Sequence, residues 1–180
     1  MTSQAMLAAI PFAQDSAVDT LLSAVARSLK SQGIRVSGCL QHAETVDGQW
    51  RGAVDVEDIE TGERLRIMQP LGQHARGCRL DPQAMAEVSA KALASLERRP
   101  QILILNRFGK GEAEGAGLRT VFEAAALAGI PVLTSVKEPY LPDWDLFSDS
   151  LSVRLDADEA QIAAWCLGAV SAAGNAARAA

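Results

Sequence analysis

The residues best suited to chemistry stand together in one stretch, Asn106-Arg107-Phe108-Gly109-Lys110-Gly111-Glu112-Ala113-Glu114-Gly115-Ala116-Gly117. Its four glycines let a backbone turn sharply and approach a ligand closely. The helix expected to follow would present unpaired N–H groups at its start. Arg107, Lys110 and Arg119 add positive charge, so the stretch reads as a holder of an anion through Asn106, Arg107, Gly109, Lys110, Gly115, Gly117 and Arg119. Glu112 and Glu114 oppose that use. The same residues also read as a tight strand-to-helix connection, with its glutamates favourably placed at the positive end of the helix.

A second concentration lies in Gly72 to Asp81, where His74, Arg76, Cys78 and Arg79 could hold an oxyanion. Two flanking arginines could raise the thiolate fraction of Cys78. In the other reading Arg79 pairs with Asp81 and Cys78 packs beneath the loop. Cys39, Cys78 and Cys166 are odd in number and form no CxxC pair, which predicts free thiols and neither a zinc site nor a disulfide framework. Cys39 and Cys166 sit in apolar patterns and read as core residues. No catalytic residue and no cofactor is assigned.

These loops need a frame. Met6 to Pro11 is a short apolar run, and Leu21, Leu22, Val25, Ala26 and Leu29 recur at helical spacing, ended by Gly33. Ile34 to Leu40 alternates as a strand, completing a βαβ unit with an expected parallel pair. Trp50 to Val56 and Arg64 to Met68, around Thr61-Gly62-Glu63, predict an inserted antiparallel hairpin. A helix is expected over Pro82 to Glu97, capped by Asp81. Gln101 to Leu105 has the unbroken apolar run of a strand buried on both faces, with parallel neighbours expected from Met6–Ile10 and Val132–Val136. A helix over Leu118 to Ala128, a short strand over Leu151 to Leu155 and a helix over Asp158 to Ala172 complete an α/β chain with a mostly parallel sheet. Residues 1–172 are expected to form one domain and residues 173–180 a frayed alanine-rich tail. Trp144 and Phe147 could form an aromatic lid, though packing into the core is the more usual role.

Of the 180 residues 48% are hydrophobic and 22% charged, as in ordinary globular chains. A net charge of −5 argues against bulk electrostatic binding of nucleic acid. No stretch is long and apolar enough to insert into a membrane, and the N-terminus lacks the basic start of a signal peptide, so a cytoplasmic location is expected. The segment Pro11-Phe12-Ala13-Gln14-Asp15-Ser16-Ala17 stands where a GxxxxGK[ST] phosphate loop would connect the first strand and helix. It has neither glycine nor lysine, and Asp15 and Asp19 would repel phosphates.

Several segments together carry a resemblance: Gly33 to Gln41, Gln69-Pro70-Leu71-Gly72, Cys78-Arg79-Leu80-Asp81-Pro82, Asn106-Arg107-Phe108-Gly109-Lys110, Glu112 to Arg119 and Ile130-Pro131-Val132-Leu133-Thr134. The chain resembles an uncharacterised bacterial domain-of-unknown-function family whose members are often annotated near molybdate-transport genes. That family looks like a distant relative of the small P-loop nucleoside triphosphatases. The resemblance implies a three-layer P-loop-NTPase-like sheet. It sets Asn106 and Arg107 where an acidic pair would stand, while Gly109 and Glu112 keep the later pattern. The phosphate-loop lysine and hydroxyl and the metal-organising acid are missing, so the fold is implied without the hydrolysis. The leading expectation is a small-anion or nucleotide-binding protein, with molybdate a candidate oxyanion. A weak nucleoside-triphosphate phosphohydrolase and a ligand-free interaction module are the alternatives. The module would act as a homodimer or by docking to a molybdenum-related protein.

Overall fold

The computed structural model describes residues 5–13, 15–46, 49–70, 78–149 and 151–179. The elements run β1 (Leu7–Phe12), α1 (Asp15–Ser31), β2 (Val36–Val46), β3 (Gln49–Asp58), β4 (Arg64–Pro70), β5 (Cys78–Leu80), α2 (Pro82–Glu97) and β6 (Ile102–Phe108). They continue with α3 (Lys110–Ala113), α4 (Arg119–Leu127), β7 (Val132–Lys137), a 3-10 turn (Glu138–Tyr140), α5 (Leu141–Ser148), β8 (Ser152–Arg154) and α6 (Glu159–Ala179). The strands form one sheet in the order β5-β4-β3-β2-β6-β7-β1-β8. Pairing is parallel from β2 through β6, β7 and β1 to β8, and antiparallel from β2 to β5. The hairpin inserted between β2 and α2 thus extends one side of a parallel block.

Alternation along β6 separates two cores. Leu103, Leu105 and Phe108 face α2, α4 and α5, packing with Val88, Phe122 and Trp144. Ile102 and Ile104 face α1 and α6, packing with Leu22, Leu29, Ile162 and Cys166. All of these side chains are buried. A strand apolar on every residue can be satisfied only between two helical layers. Pro82 and Asp81 start α2 as expected, the Asp81 carboxylate accepting from the amides of Gln83 at 2.9 Å and Ala84 at 3.2 Å.

Strand order departs from expectation in one respect. β6 has β7 and β2 as neighbours, not β1, which lies beyond β7. The first βαβ unit therefore does not pair its own strands, since its helix carries the chain across two positions that β6 and β7 fill later. Nothing in the β1 or β2 residues encodes that spacing. Helix α6 continues to Ala179, past Ala172.

Trp144 is fully buried and packs edge-on to Phe108 at 5.3 Å and Phe122 at 6.0 Å, with Phe147 beside all three. This is the core role rather than a lid. Cys39 and Cys166 are free and buried, and burial pushes both thiols up to about 12. A neutral buried thiol is a poor nucleophile. Alkylation of the native protein at pH 8, read residue by residue by mass spectrometry, is therefore expected to leave Cys39 and Cys166 unmodified until denaturant is added; rapid native labelling of either would contradict this packing.

Candidate functional site

The carboxyl end of the parallel block is built around the end of β6. Burial of Phe108 in the aromatic cluster anchors the strand, and the next residue, Gly109, begins the glycine-rich turn. Immediately before it, Asn106 is buried and used on three sides. Its Oδ1 accepts from the Gln41 amide at 2.7 Å, its Nδ2 donates to Asp19 Oδ1 at 2.9 Å, and its carbonyl accepts from Ser135 Oγ. Asn106 thus ties β6 to β2, β7 and α1 at the point where a ligand would approach the sheet edge.

Arg107 reaches across to the first turns of α1. Its guanidinium donates to Asp15 Oδ1 at 2.6 Å and Asp19 Oδ1 at 3.1 Å, and lies 4.9 Å above the Phe12 ring. Lys137, at the end of β7, contacts Asp15 Oδ2 at 3.4 Å. Asp15 and Asp19, four residues apart, project from one helix face. Burial raises the Asp19 carboxyl above its ordinary value, against the opposing pull of Asn106 and Arg107. Asp19 Oδ2 and Arg107 Nε are buried without a hydrogen-bond partner. In P-loop proteins the corresponding strand-to-helix junction carries the phosphates. Here it carries two carboxylates and the cations that neutralise them.

The glycine-rich turn folds around a carboxylate of its own. Glu112 is buried at 7% exposure, its Oε2 accepting from the Gly109 amide at 2.9 Å and its Oε1 from the Leu118 amide at 2.8 Å. The Glu112 carbonyl accepts from Arg119 at 3.1 Å. Gly117 has φ +59, and a Cβ there would lie 2.2 Å from Glu112 Oε1, so the turn needs glycine to admit the carboxylate. Gly115, at φ +87, supplies the other left-handed residue. Two backbone amides that could have served an external anion are thereby engaged internally.

Beside this turn lies a cleft of about 790 Å³, walled by α2, β3 and β4. Val88, Met85, Leu93 and Met68 make its apolar side, and Asn106, Gly109, Lys110 and Gly111 its polar end. Of the residues singled out in the sequence, Asn106, Arg107, Gly109, Lys110 and Gly117 line this cleft; Gly115 and Arg119 are not among its lining residues. Arg119 pairs with Glu123 at 3.1 Å and stacks 4.8 Å from the Phe147 ring. Lys110 is exposed, its nearest carboxylate being Glu114 at 3.8 Å. Arg76 lies outside the described residues, as do the side chains of Cys78 and Arg79, whose backbone forms β5. Sequence reasoning passed over Asp15 and Asp19 as partners of Arg107, and Lys137 as a second partner of Asp15. The spacing of the two aspartates at the start of a helix was the available signal, but their partner arrives 88 residues later.

Residues 7–165 match the family described as protein of unknown function DUF2478. The chain is 33% identical over 159 residues to the molybdenum import ATP-binding protein ModC 2 of Bradyrhizobium diazoefficiens, a match covering 88% of this chain and 18% of that protein. Among solved structures it resembles a human cancer-related nucleoside triphosphatase, with TM-score 0.56, 16% identity, and coverage of 92% of this chain and 94% of that one. It also resembles THEP1 from the hyperthermophile Aquifex aeolicus, with TM-score 0.56, 13% identity and coverage of 92% and 97%. These structures share its fold: an α/β scaffold of the nucleoside-triphosphatase type. Among the described residues no helix is long and apolar enough to cross a membrane.

Proposed function

This chain belongs to the DUF2478 family, and we propose that it binds a nucleotide-like ligand without hydrolysing it, on a triphosphatase scaffold that has lost its phosphate loop. The observation that carries this function is the contrast between two sides of β6. Toward α1, the junction is filled by Asp15, Asp19, Arg107 and Lys137, whose charges balance and leave no net positive charge for a triphosphate. Toward α2, the cleft is open, apolar along one wall and polar at Lys110 and Gly111. Its size suits a ligand with a flat apolar body and an anionic group. Hydrolysis would also need a placed metal and charge neutralisation at the γ-phosphate, and the phosphate-loop lysine and acidic pair that supply them are absent from the sequence.

Similarity to a molybdenum import ATP-binding protein makes molybdate the competing ligand. Because the match spans only 18% of that relative, a link to molybdenum import is itself part of the proposal. A thermal-shift panel of ATP, GTP, molybdate, tungstate, sulfate and phosphate, with and without magnesium, separates the readings. At a hundredfold excess over Kd a ligand that binds only the native state stabilises it by about 2.7 kcal/mol. The expected result is a raised midpoint with nucleotide, reduced in Lys110→Ala and abolished in Met85→Trp, and no phosphate release. Stabilisation by molybdate and tungstate alone would replace the nucleotide with an oxyanion. A flat panel would favour the ligand-free interaction module, and magnesium-dependent turnover would favour the phosphohydrolase.

A further inference from the structure

On the opposite face of the sheet, α1 and the β2–β3 arm enclose a second groove of about 570 Å³. We propose that this groove is a binding site for a small phosphorylated polyol of sugar-phosphate size. The charges on its walls divide into those already neutralised and those that are not. Glu57 Oε2 is held by Arg64 at 2.9 Å, with His42 Nε2 lying 2.8 Å away, and Asp19 is engaged by Arg107. Arg27 and Lys30 also line the groove. Their hydrogen-bond partners are carbonyl oxygens: Arg27 Nε donates to Ser23 O at 3.4 Å and Lys30 Nζ to Ile59 O at 2.7 Å. Among the described residues no ion pair neutralises either one. In a chain of net charge −5 this is a concave surface with two uncompensated cations.

Their spacing fits one ligand. Ser23, Arg27 and Lys30 fall on one face of α1, spanning about 10 Å at a rise of roughly 1.5 Å per residue. The Nε bond to Ser23 O draws the guanidinium back toward the helix start and leaves its two terminal nitrogens to donate as a fork, the geometry that suits a phosphate. Ser23, Gln41, Thr45 and His42 add neutral or mixed donors and acceptors around the groove, as a hydroxylated body requires. That polar lining distinguishes it from the apolar cleft across the sheet, and the two linings have in common Gln41 of β2 and none of their cations.

The test is calorimetric titration of the full chain with ribose 5-phosphate, with inorganic phosphate and ribose as comparisons, repeated on Arg27→Gln/Lys30→Gln and on Lys110→Ala. Both substituted residues are exposed, so the double variant is expected to melt with the parent protein. Ribose 5-phosphate should bind the parent chain and Lys110→Ala alike, and about tenfold to a hundredfold more weakly to the double variant. Absence of binding to the parent, or equal binding to the double variant, would overturn the site. Inorganic phosphate binding as tightly as the sugar phosphate would overturn the ligand class. Loss of binding in Lys110→Ala alone would assign the sugar phosphate to the cleft and overturn the groove as its site.

Discussion

Arg107→Ala is expected to lower the unfolding free energy by about 3 kcal/mol, because it strips the counter-charge from a carboxylate that is largely buried. Asp19 is 9% exposed at its side chain and keeps only Asn106 as a donor once the guanidinium is gone, while the half-exposed Asp15 retains Lys137. The loss should depend on pH in a defined direction. Burial already holds the Asp19 carboxyl above its ordinary value of 3.8, and removing Arg107 removes a contribution that lowers it. A raised native-state value means that the native state keeps a proton which the unfolded chain has released. Stability then falls as pH rises from 3.8 through the native value. The deficit of the variant should therefore be smallest under acid conditions and full at neutral pH. Asp19→Asn introduced into Arg107→Ala should recover part of it, since a neutral amide removes the uncompensated charge. Urea titrations of the four members of this cycle at pH 5 and pH 8 measure both effects. An Arg107→Ala protein as stable as the parent at both values would remove the cluster from the account of stability and reopen Arg107 as a ligand group.

Gly38→Ala should be at least as damaging. Gly38 lies in β2 opposite Ile104 of β6, with φ +110, a conformation that L side chains rarely adopt. A Cβ there would stand 2.0 Å from the Ile104 carbonyl oxygen and 2.8 Å from its carbon, and both are backbone atoms that cannot swing aside. Backbone strain of about 1–3 kcal/mol adds to an overpacking cost of similar size. The sum, about 2–6 kcal/mol, is a large fraction of the roughly 5–15 kcal/mol that holds an ordinary domain folded. The expected outcome is a chain that fails to accumulate as folded protein, or melts far below the parent. Gly62→Ala makes the control, because its φ of +73 is also positive but its Cβ would meet nothing within 4 Å. It should cost only about 1–2 kcal/mol, the backbone term without the clash. Equal melting of the two variants would mean that β2 and β6 do not approach as closely as described.

Local chemistry was legible along the chain because it depends on neighbours in sequence. The all-apolar run of β6 announced burial on both faces, the Thr61-Gly62-Glu63 turn announced the hairpin, and Asp81-Pro82 announced the start of α2. The absence of glycine and lysine between β1 and α1 excluded a phosphate loop without any structure. Strand order was not legible, because apolar periodicity identifies a buried strand but carries no label for its neighbour; β1 and β2 ended with two strands between them. The use of charge was not legible either. Arg107 and Glu112 stand five residues apart in one loop, yet Arg107 is neutralised by α1 and Glu112 by amides of its own turn. A charged side chain carries the same formal charge wherever it stands in a sequence. Whether it serves a ligand or the fold depends on which opposite charges and amides tertiary packing brings within about 3 Å, where loss of water makes each contact strong.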